Sequence, residues 1–188
     1  MSFPAVFLDR DGTINEDPGY LGSQDTVKLL PGVSEGISEL KSGLGFKIIV
    51  VSNQSGIARG LITHEQVQLV NNRINELLSE SNVEIDAFFY CPFHPEFSSA
   101  DESKCRKPSP EMIFEAAKKF EINLERSYII GDKALDVLCG QNAGVKQVLI
   151  SSKNDSEEIN SLKKAGKSPN FVAHSFLDAV NFIKHDFN

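Results

Sequence analysis

Two aspartates, Asp9 and Asp11, stand two residues apart at the end of an unbroken apolar run, Ala5 to Leu8, and Gly12 and Thr13 follow them. Carboxylates that close repel by roughly 4 kcal/mol at ~4 Å when the effective dielectric is near 20, so the pair calls for a cation or a shared proton. The plainer alternative is a strand-end turn in which Asp caps the next backbone amides. A second polar set, Ser52-Asn53-Gln54-Ser55-Gly56, follows Lys47–Val51 and combines a hydroxyl with successive main-chain amides. Asp132 follows the run Ser127–Ile130, Asp136 comes one helical turn later, and Lys107 lies just ahead of the preceding helix. Three carboxylates make a hard-oxygen site suited to Mg²⁺. A hydroxyl, main-chain amides and a lysine suit a phosphate. Metal and phosphate together point to phosphoryl transfer, in which positioning and charge neutralisation carry most of the catalysis.

These groups lie far apart in sequence, so the fold must gather them. Ala5–Leu8 is apolar throughout, the pattern of a central parallel strand buried on both faces. Asn15 to Leu30, with its turn Asp17-Pro18-Gly19-Tyr20, is predicted as a loop over the acidic edge. Pro31-Gly32 opens a helix that ends near Gly43 and Gly45. Lys47–Val51 is the second strand. Thr63 and Gln66 form a capping box for a helix that buries Val67, Val70, Ile74, Leu77 and Leu78. Asp86–Tyr90 is the third strand.

Ser109 is an N-cap with Pro110 at the first helical position, and Met112, Ile113, Ala116, Ala117 and Phe120 face inward. Ser127–Ile130 is the fourth strand, and a short helix then runs to about Asn142 and stops at Gly144. Gln147–Ile150 is the fifth strand. The tail holds a polar helix around Asp155 to Ala165, a short strand at Phe171–Ala173 and a helix capped by Ser175. Alternating strands and helices imply α/β architecture: a doubly wound, mainly parallel sheet with helices on both faces. No repeat or linker divides the chain, so residues 1–188 are expected to form a single domain. In such a sheet, ligands bind at the carboxyl edge.

Composition narrows the setting. The 188 residues are 40% hydrophobic and 24% charged, a balance that supports a buried core. A net charge of −7 argues against a general nucleic-acid binder. No apolar run is long enough to span a membrane. Met1-Ser-Phe-Pro4 lacks the pattern of a signal peptide, and three cysteines do not make a disulfide framework. Cytoplasmic localisation, a reducing environment and a monomer are the expectations.

Asp9-x-Asp11-Gly-Thr13, Ser52, Lys107 and Gly131-Asp132-x-x-x-Asp136 resemble, in order, the four signature motifs of the haloacid dehalogenase superfamily. The closer likeness is to its D-glycero-D-manno-heptose 1,7-bisphosphate phosphatase and histidinol-phosphatase branch. It is carried by Phe7-Leu-Asp-Arg-Asp-Gly-Thr-Ile-Asn15, Gly19-Tyr20, Ser52-Asn-Gln-Ser-Gly-Ile-Ala-Arg-Gly60, Tyr90-Cys-Pro92, Cys105-Arg-Lys-Pro108 and Gly131-Asp-Lys133, over about residues 5 to 150. The resemblance implies a Rossmann-like phosphatase in which Asp9 is the nucleophile and Asp11 the acid and base. Mg²⁺ would sit on the Asp9 carboxylate, the Asp11 carbonyl and Asp132, with Asp136 behind them. Ser52 and the Asn53 amide would bind phosphoryl oxygens, and Lys107 would balance charge.

The chain leaves no room for a large cap domain, so loops must cover the site. Arg10, Arg59, Arg106, Lys107 and Lys133 fall near the acidic edge and favour a second anionic group on a small phosphorylated metabolite. Arg106 is the leading candidate for that contact, since guanidinium binds phosphate in a forked geometry. For Arg10 and Arg59 the alternative is that they brace the loops and contact no substrate.

One loop departs from the family. Heptose-branch relatives commonly bind zinc through Cys-x-His followed by Cys-x-Cys, whereas here Phe93 and Ser103 replace two ligands and His94 is displaced by one residue. Cys91, His94 and Cys105 remain, too few for a tetrahedral zinc, so a packed loop with free thiols is expected rather than a zinc site. Cys139 reads as core. Gly166-Lys-Ser168 lacks the rest of a P-loop, His64, His174 and His185 have no metal-ligand spacing, and Lys163-Lys164 reads as a solvated helix face. The substrate stays open between heptose bisphosphate, histidinol phosphate and another sugar phosphate. Two readings of other classes remain. A phospho-acceptor receiver would need its aspartate where Tyr90-Cys91 stand, and a catalytically silent binding or scaffold protein would need no turnover.

Overall fold

The structure is a computed structural model that describes residues 2–151 and 156–187. Six strands form one parallel sheet in the order β3-β2-β1-β4-β5-β6. They are β1 (Ala5–Leu8), β2 (Lys47–Asn53), β3 (Ala87–Cys91), β4 (Tyr128–Gly131), β5 (Lys146–Ile150) and β6 (Phe171–Ala173). The helices are α1 (Val33–Ser38), α2 (His64–Ser79), α3 (Glu111–Phe120), α4 (Ala134–Ala143), α5 (Glu157–Lys164) and α6 (Phe176–Phe187).

Side chains alternate across a strand, and β1 shows why it must be apolar throughout. Val6 and Leu8 join one core with Val33, Ile37, Val70, Ile74, Phe176 and Val180, from α1, α2 and α6. Ala5 and Phe7 join the opposite core with Met112, Ile113, Ala116 and Cys139, from α3 and α4. A sheet covered on both faces leaves only its edges and strand ends for polar work.

Most element boundaries match the expectations, and the shifts have local causes. Strand β2 runs two residues further than expected because Ser52 and Asn53 pair with Tyr90 and Cys91. Strand β3 begins after Asp86, whose carboxylate accepts from the Ile48 amide at 2.8 Å and pairs with Lys47 and Lys41. Helix α3 starts one residue later than predicted, with Pro110 at its boundary, because the Ser109 amide closes a turn onto the Arg106 carbonyl. Ala117 and Phe120 are half-buried rather than fully inward. The Thr63–Gln66 capping box forms, but Leu77 is only half-buried while Asn71 is buried. Ser175 caps α6 through the Asp178 amide. The expected tail-helix start at Asp155 lies outside the described residues, and α5 begins at Glu157. Among the described residues no helix is long and apolar enough to cross a membrane.

The strand order reverses beside β1, between β2 on one side and β4 on the other. Diverging crossovers on the two sides open a crevice beyond the strand ends at such a point. Asp9 and Asp132 therefore flank one position, although they lie 123 positions apart in the chain.

Close helix–sheet packing gives the first prediction. A Cβ at Gly140 would fall onto Ile129 Cγ2 and within 2.8 Å of Gln147 Cγ. Gly140→Ala should therefore destabilise the protein by about 1–3 kcal/mol through overpacking, outweighing the better helix propensity of alanine (about 1 kcal/mol). Urea denaturation checks this.

Candidate active site

The site assembles around a buried ammonium. Lys107 is 3% exposed, and its Nζ donates to Asp9 Oδ1 at 2.7 Å, Asp136 Oδ1 at 2.5 Å and the Val51 carbonyl at 2.8 Å. Asn53 fixes the lysine backbone to β2. Its Oδ1 accepts from the Lys107 amide at 2.9 Å, and its Nδ2 donates to the Lys107 carbonyl at 3.2 Å. Burial alone would lower the pKa of this lysine, but the charges of Asp136 and Asp9 outweigh it and hold the pKa well above the usual value. It is a permanent cation.

The acidic side is crowded. One carboxylate oxygen from each of Asp9, Asp132 and Asp136 lies within 4.8 Å of the others, and this is the cluster of potential metal ligands among the described residues. Asp136 is committed elsewhere, because Oδ1 takes Lys107 and Oδ2 accepts the Lys133 amide at 3.1 Å. Burial pushes its pKa up, Lys107 pulls it down and Asp9 pushes it up again, leaving it raised to about 7. Asp132 is also raised, by burial first and by Asp9, against a hydrogen bond from Lys133. Such crowding favours a hard cation on Asp9 and Asp132, and the donor set fits Mg²⁺. Gly12 makes the approach feasible. It has φ +83°, and a Cβ there would lie 2.6 Å from Asp132 Oδ2.

Asp11 is held differently. Arg10 grips both its oxygens, Nε to Oδ1 at 3.1 Å and Nη2 to Oδ2 at 2.9 Å. Asn15 Nδ2 donates to Oδ1 at 2.9 Å and Gln54 Nε2 to Oδ2 at 3.0 Å. Burial would raise its pKa, but Arg10 first, then Asn15 and Gln54, leave it below the ordinary carboxylate value. Ser52 is buried just beneath, with its Oγ 3.3 Å from Gln54 Nε2.

Asp9, Asp11, Asn53, Lys107, Arg106 and Lys133 line a cleft of about 200 Å³, together with Asp17 and Gly19 from the loop after β1. That loop lies over the acidic edge as expected. Arg59 does not line the cleft. It pairs with Glu96 at 3.3 Å, contacts His94 at 3.2 Å and lies over the Phe97 ring at 4.9 Å, so it braces a loop. Arg10 is fully buried and also braces from inside. Roles for Gln54, Asn15 and Asn71 were missed from sequence. The available signal was Asn71, a polar residue on an otherwise apolar face of α2.

A protein-family model described as "HAD-hyrolase-like" matches residues 104–179. The D-glycero-D-manno-heptose-1,7-bisphosphate 7-phosphatase of Chlorobaculum tepidum is 40% identical over 95% of this chain and 93% of that protein. The chain belongs to the haloacid dehalogenase superfamily, in its heptose-bisphosphate phosphatase branch. The D-glycero-beta-D-manno-heptose-1,7-bisphosphate 7-phosphatase of Yersinia pestis is likewise 40% identical, over 97% of this chain and 96% of its own. The solved D,D-heptose 1,7-bisphosphate phosphatase of B. bronchiseptica, complexed with magnesium and phosphate, superposes with TM-score 0.82. It is 25% identical and covers 98% of this chain and 99% of its own. Among the described residues no cap domain is evident.

Against this heptose-phosphatase background the loop after β3 corrects one expectation. Cys91 and Cys105 are not free thiols but form a disulfide, with Cα atoms 5.5 Å apart. Strand β3 ends at Cys91, and the turn Glu102–Cys105 brings the second cysteine back to it. His94 is engaged elsewhere, accepting the Glu96 amide on Nδ1 at 3.2 Å and contacting Arg59 through Nε2. The bond ties the segment that carries Arg106 and Lys107 to the sheet. Cys139 is buried and free, donating to the Ser109 carbonyl at 3.2 Å, and burial pushes its pKa up to about 12.

Removing the Lys107 charge strands two buried carboxylates. Lys107→Met should cost about 3–5 kcal/mol, and the cost should grow with pH. Asp136 has a folded pKa of about 7, above its reference value of 3.8, so its contribution is full below the lower value and is lost as pH rises through the upper. Without Lys107 that pKa climbs further and the loss at alkaline pH deepens. Melting curves in chelator should therefore separate variant from parent more at about pH 8 than at about pH 5.5.

The disulfide closes a loop with a sequence separation of 14. Cys105→Ser should lower stability by about 3 kcal/mol. Denaturant titration with and without a dithiol reductant checks this, because reduction should affect the parent and leave the variant unchanged.

Proposed function

We propose that residues 1–188 form a single phosphatase domain that hydrolyses D-glycero-D-manno-heptose 1,7-bisphosphate at its 7-phosphate. The observation that carries this reading is the convergence of Asp9, Asp11 and Lys107 on one cleft, with Asp132 clustered against Asp9, in a chain whose relatives of that name match it over nearly its whole length.

Asp9 is the nucleophile. Lys107 holds one of its oxygens at 2.7 Å, leaving the other for attack on phosphorus to give an aspartyl-phosphate. As the phosphorus–oxygen bond to the sugar breaks, Asp11 delivers its proton to the leaving oxygen. The arriving phosphate dianion raises the proton affinity of Asp11 against the pull of Arg10. The resulting carboxylate then takes a proton from water that attacks phosphorus, releasing inorganic phosphate and restoring Asp9. Asp9, Asp132 and the Asp11 carbonyl would hold Mg²⁺, which when bound supplies charge neutralisation to the phosphoryl oxygens. Ser52 and the Asn53 amide bind phosphoryl oxygens as charge moves in the transition state.

Arg106 and Lys133 on the cleft walls provide cations for the second phosphate of a bisphosphate. Every group named comes from one chain, so the reading requires only a monomer. The small volume of the cleft and its covering by loops suit a small metabolite.

With Mg²⁺, phosphate release should be fastest from the heptose bisphosphate among a panel that includes histidinol phosphate and common hexose phosphates. Preference for histidinol phosphate would overturn the substrate assignment, and release from none would overturn the enzyme. Asp9→Asn should keep the parent melting temperature and lose at least about a thousandfold in turnover, equivalent to roughly 4 kcal/mol of barrier.

A further inference from the structure

Among the described residues Arg10 is the largest side chain with essentially no exposure. Placing a guanidinium there is expensive, since an ion taken out of water costs several kcal/mol even when paired, and apolar packing of similar volume is often more stable. Its partners show what that cost holds in place. Nε and Nη2 form a two-point grip on Asp11, at 3.1 and 2.9 Å. Nη2 also donates to Gln54 Oε1 at 3.0 Å, and Nη1 donates to Asn71 Oδ1 at 3.2 Å. The anchors come from two further parts of the chain. Gln54 follows β2 and binds Asp11 as well, while Asn71 is the buried polar residue on the core side of α2.

A two-point contact fixes the plane of a carboxylate as well as its position. Asn71 in turn fixes the guanidinium, so the orientation of Asp11 is set from a helix that does not line the cleft.

We infer that Arg10, anchored by Asn71 and Gln54, is a positioning residue that aims the Asp11 carboxyl at the leaving oxygen. The inference rests on the assignment of Asp11 as proton donor. Misaiming a proton donor slows only those bond cleavages that need the proton. A sugar alkoxide needs it, and a nitrophenolate does not. A residue that merely supports the fold would slow both.

The test compares the first turnover, with enzyme in excess, on heptose bisphosphate and on p-nitrophenyl phosphate. The variants are Arg10→Met, Arg10→Lys and Asn71→Ala, each with a melting curve. For the Arg10 variants, release of the sugar should fall by about tenfold or more, and release of nitrophenolate by less than about threefold. Steady-state kcat on the sugar should fall with KM changed by less than about threefold. Asn71→Ala should show the same split at smaller amplitude, and it decides the matter if neither Arg10 variant folds. Equal losses on both substrates, or no loss on the sugar, would overturn the inference. Asp11→Asn separates this from the underlying reading. If it shows the leaving-group split and the Arg10 and Asn71 variants do not, only the positioning role falls. If Asp11→Asn releases sugar at the parent rate, the assignment of the proton donor is wrong.

Discussion

The Lys107 ammonium is the contact on which the site depends. Three carboxylates meet at the β1–β4 crevice, and in a poorly hydrated pocket their repulsion would push the segments apart or force protons onto them. One buried cation, donating to Asp9, Asp136 and the Val51 carbonyl, keeps them together. It links β1, β2, α4 and the loop before α3 through a single atom. The same residue is therefore both a structural keystone and part of the cleft wall.

Two devices hold that lysine where the sheet needs it. Asn53 pairs with its backbone in both directions, and the Cys91–Cys105 bond closes the loop that leads into it. Where the family resemblance raised the question of a degenerate zinc loop, the cysteine pair bridges the loop directly. The covalent link joins the end of β3 to the residue just before Arg106-Lys107. Tethering there holds the segment that carries Arg106 and Lys107, and no cysteine is among the residues that line the cleft.

Much of the site was legible before any coordinates because parallel α/β topology converts sequence into geometry. Apolar runs mark buried strands, each strand end reaches the same edge, and Asp9, Ser52, Lys107 and Asp132 each stand at such an end or in the loop expected to reach it. The unbroken apolar run of β1 also foretold a core on each face. What could not be read was which cations face inward. Arg59 and Arg106 are both basic residues in loops near the edge, yet Arg59 stacks on Phe97 and only Arg106 reaches the cleft. Burial of a long side chain depends on neighbours from distant segments, which residue spacing does not encode.

The Asp11 cradle and the cysteine pair make the same division. The chain by itself determined that an acidic strand end would need neutralising and that the edge of a parallel sheet would collect its partners. It did so because periodicity and carboxylate repulsion are local properties. Only the tertiary structure decided that Arg10 turns into the core toward Asn71 and Gln54 and that Cys91 and Cys105 come within bonding distance. Those outcomes depend on how α2 and the loop after β3 pack against the sheet, and packing is settled by many contacts at once.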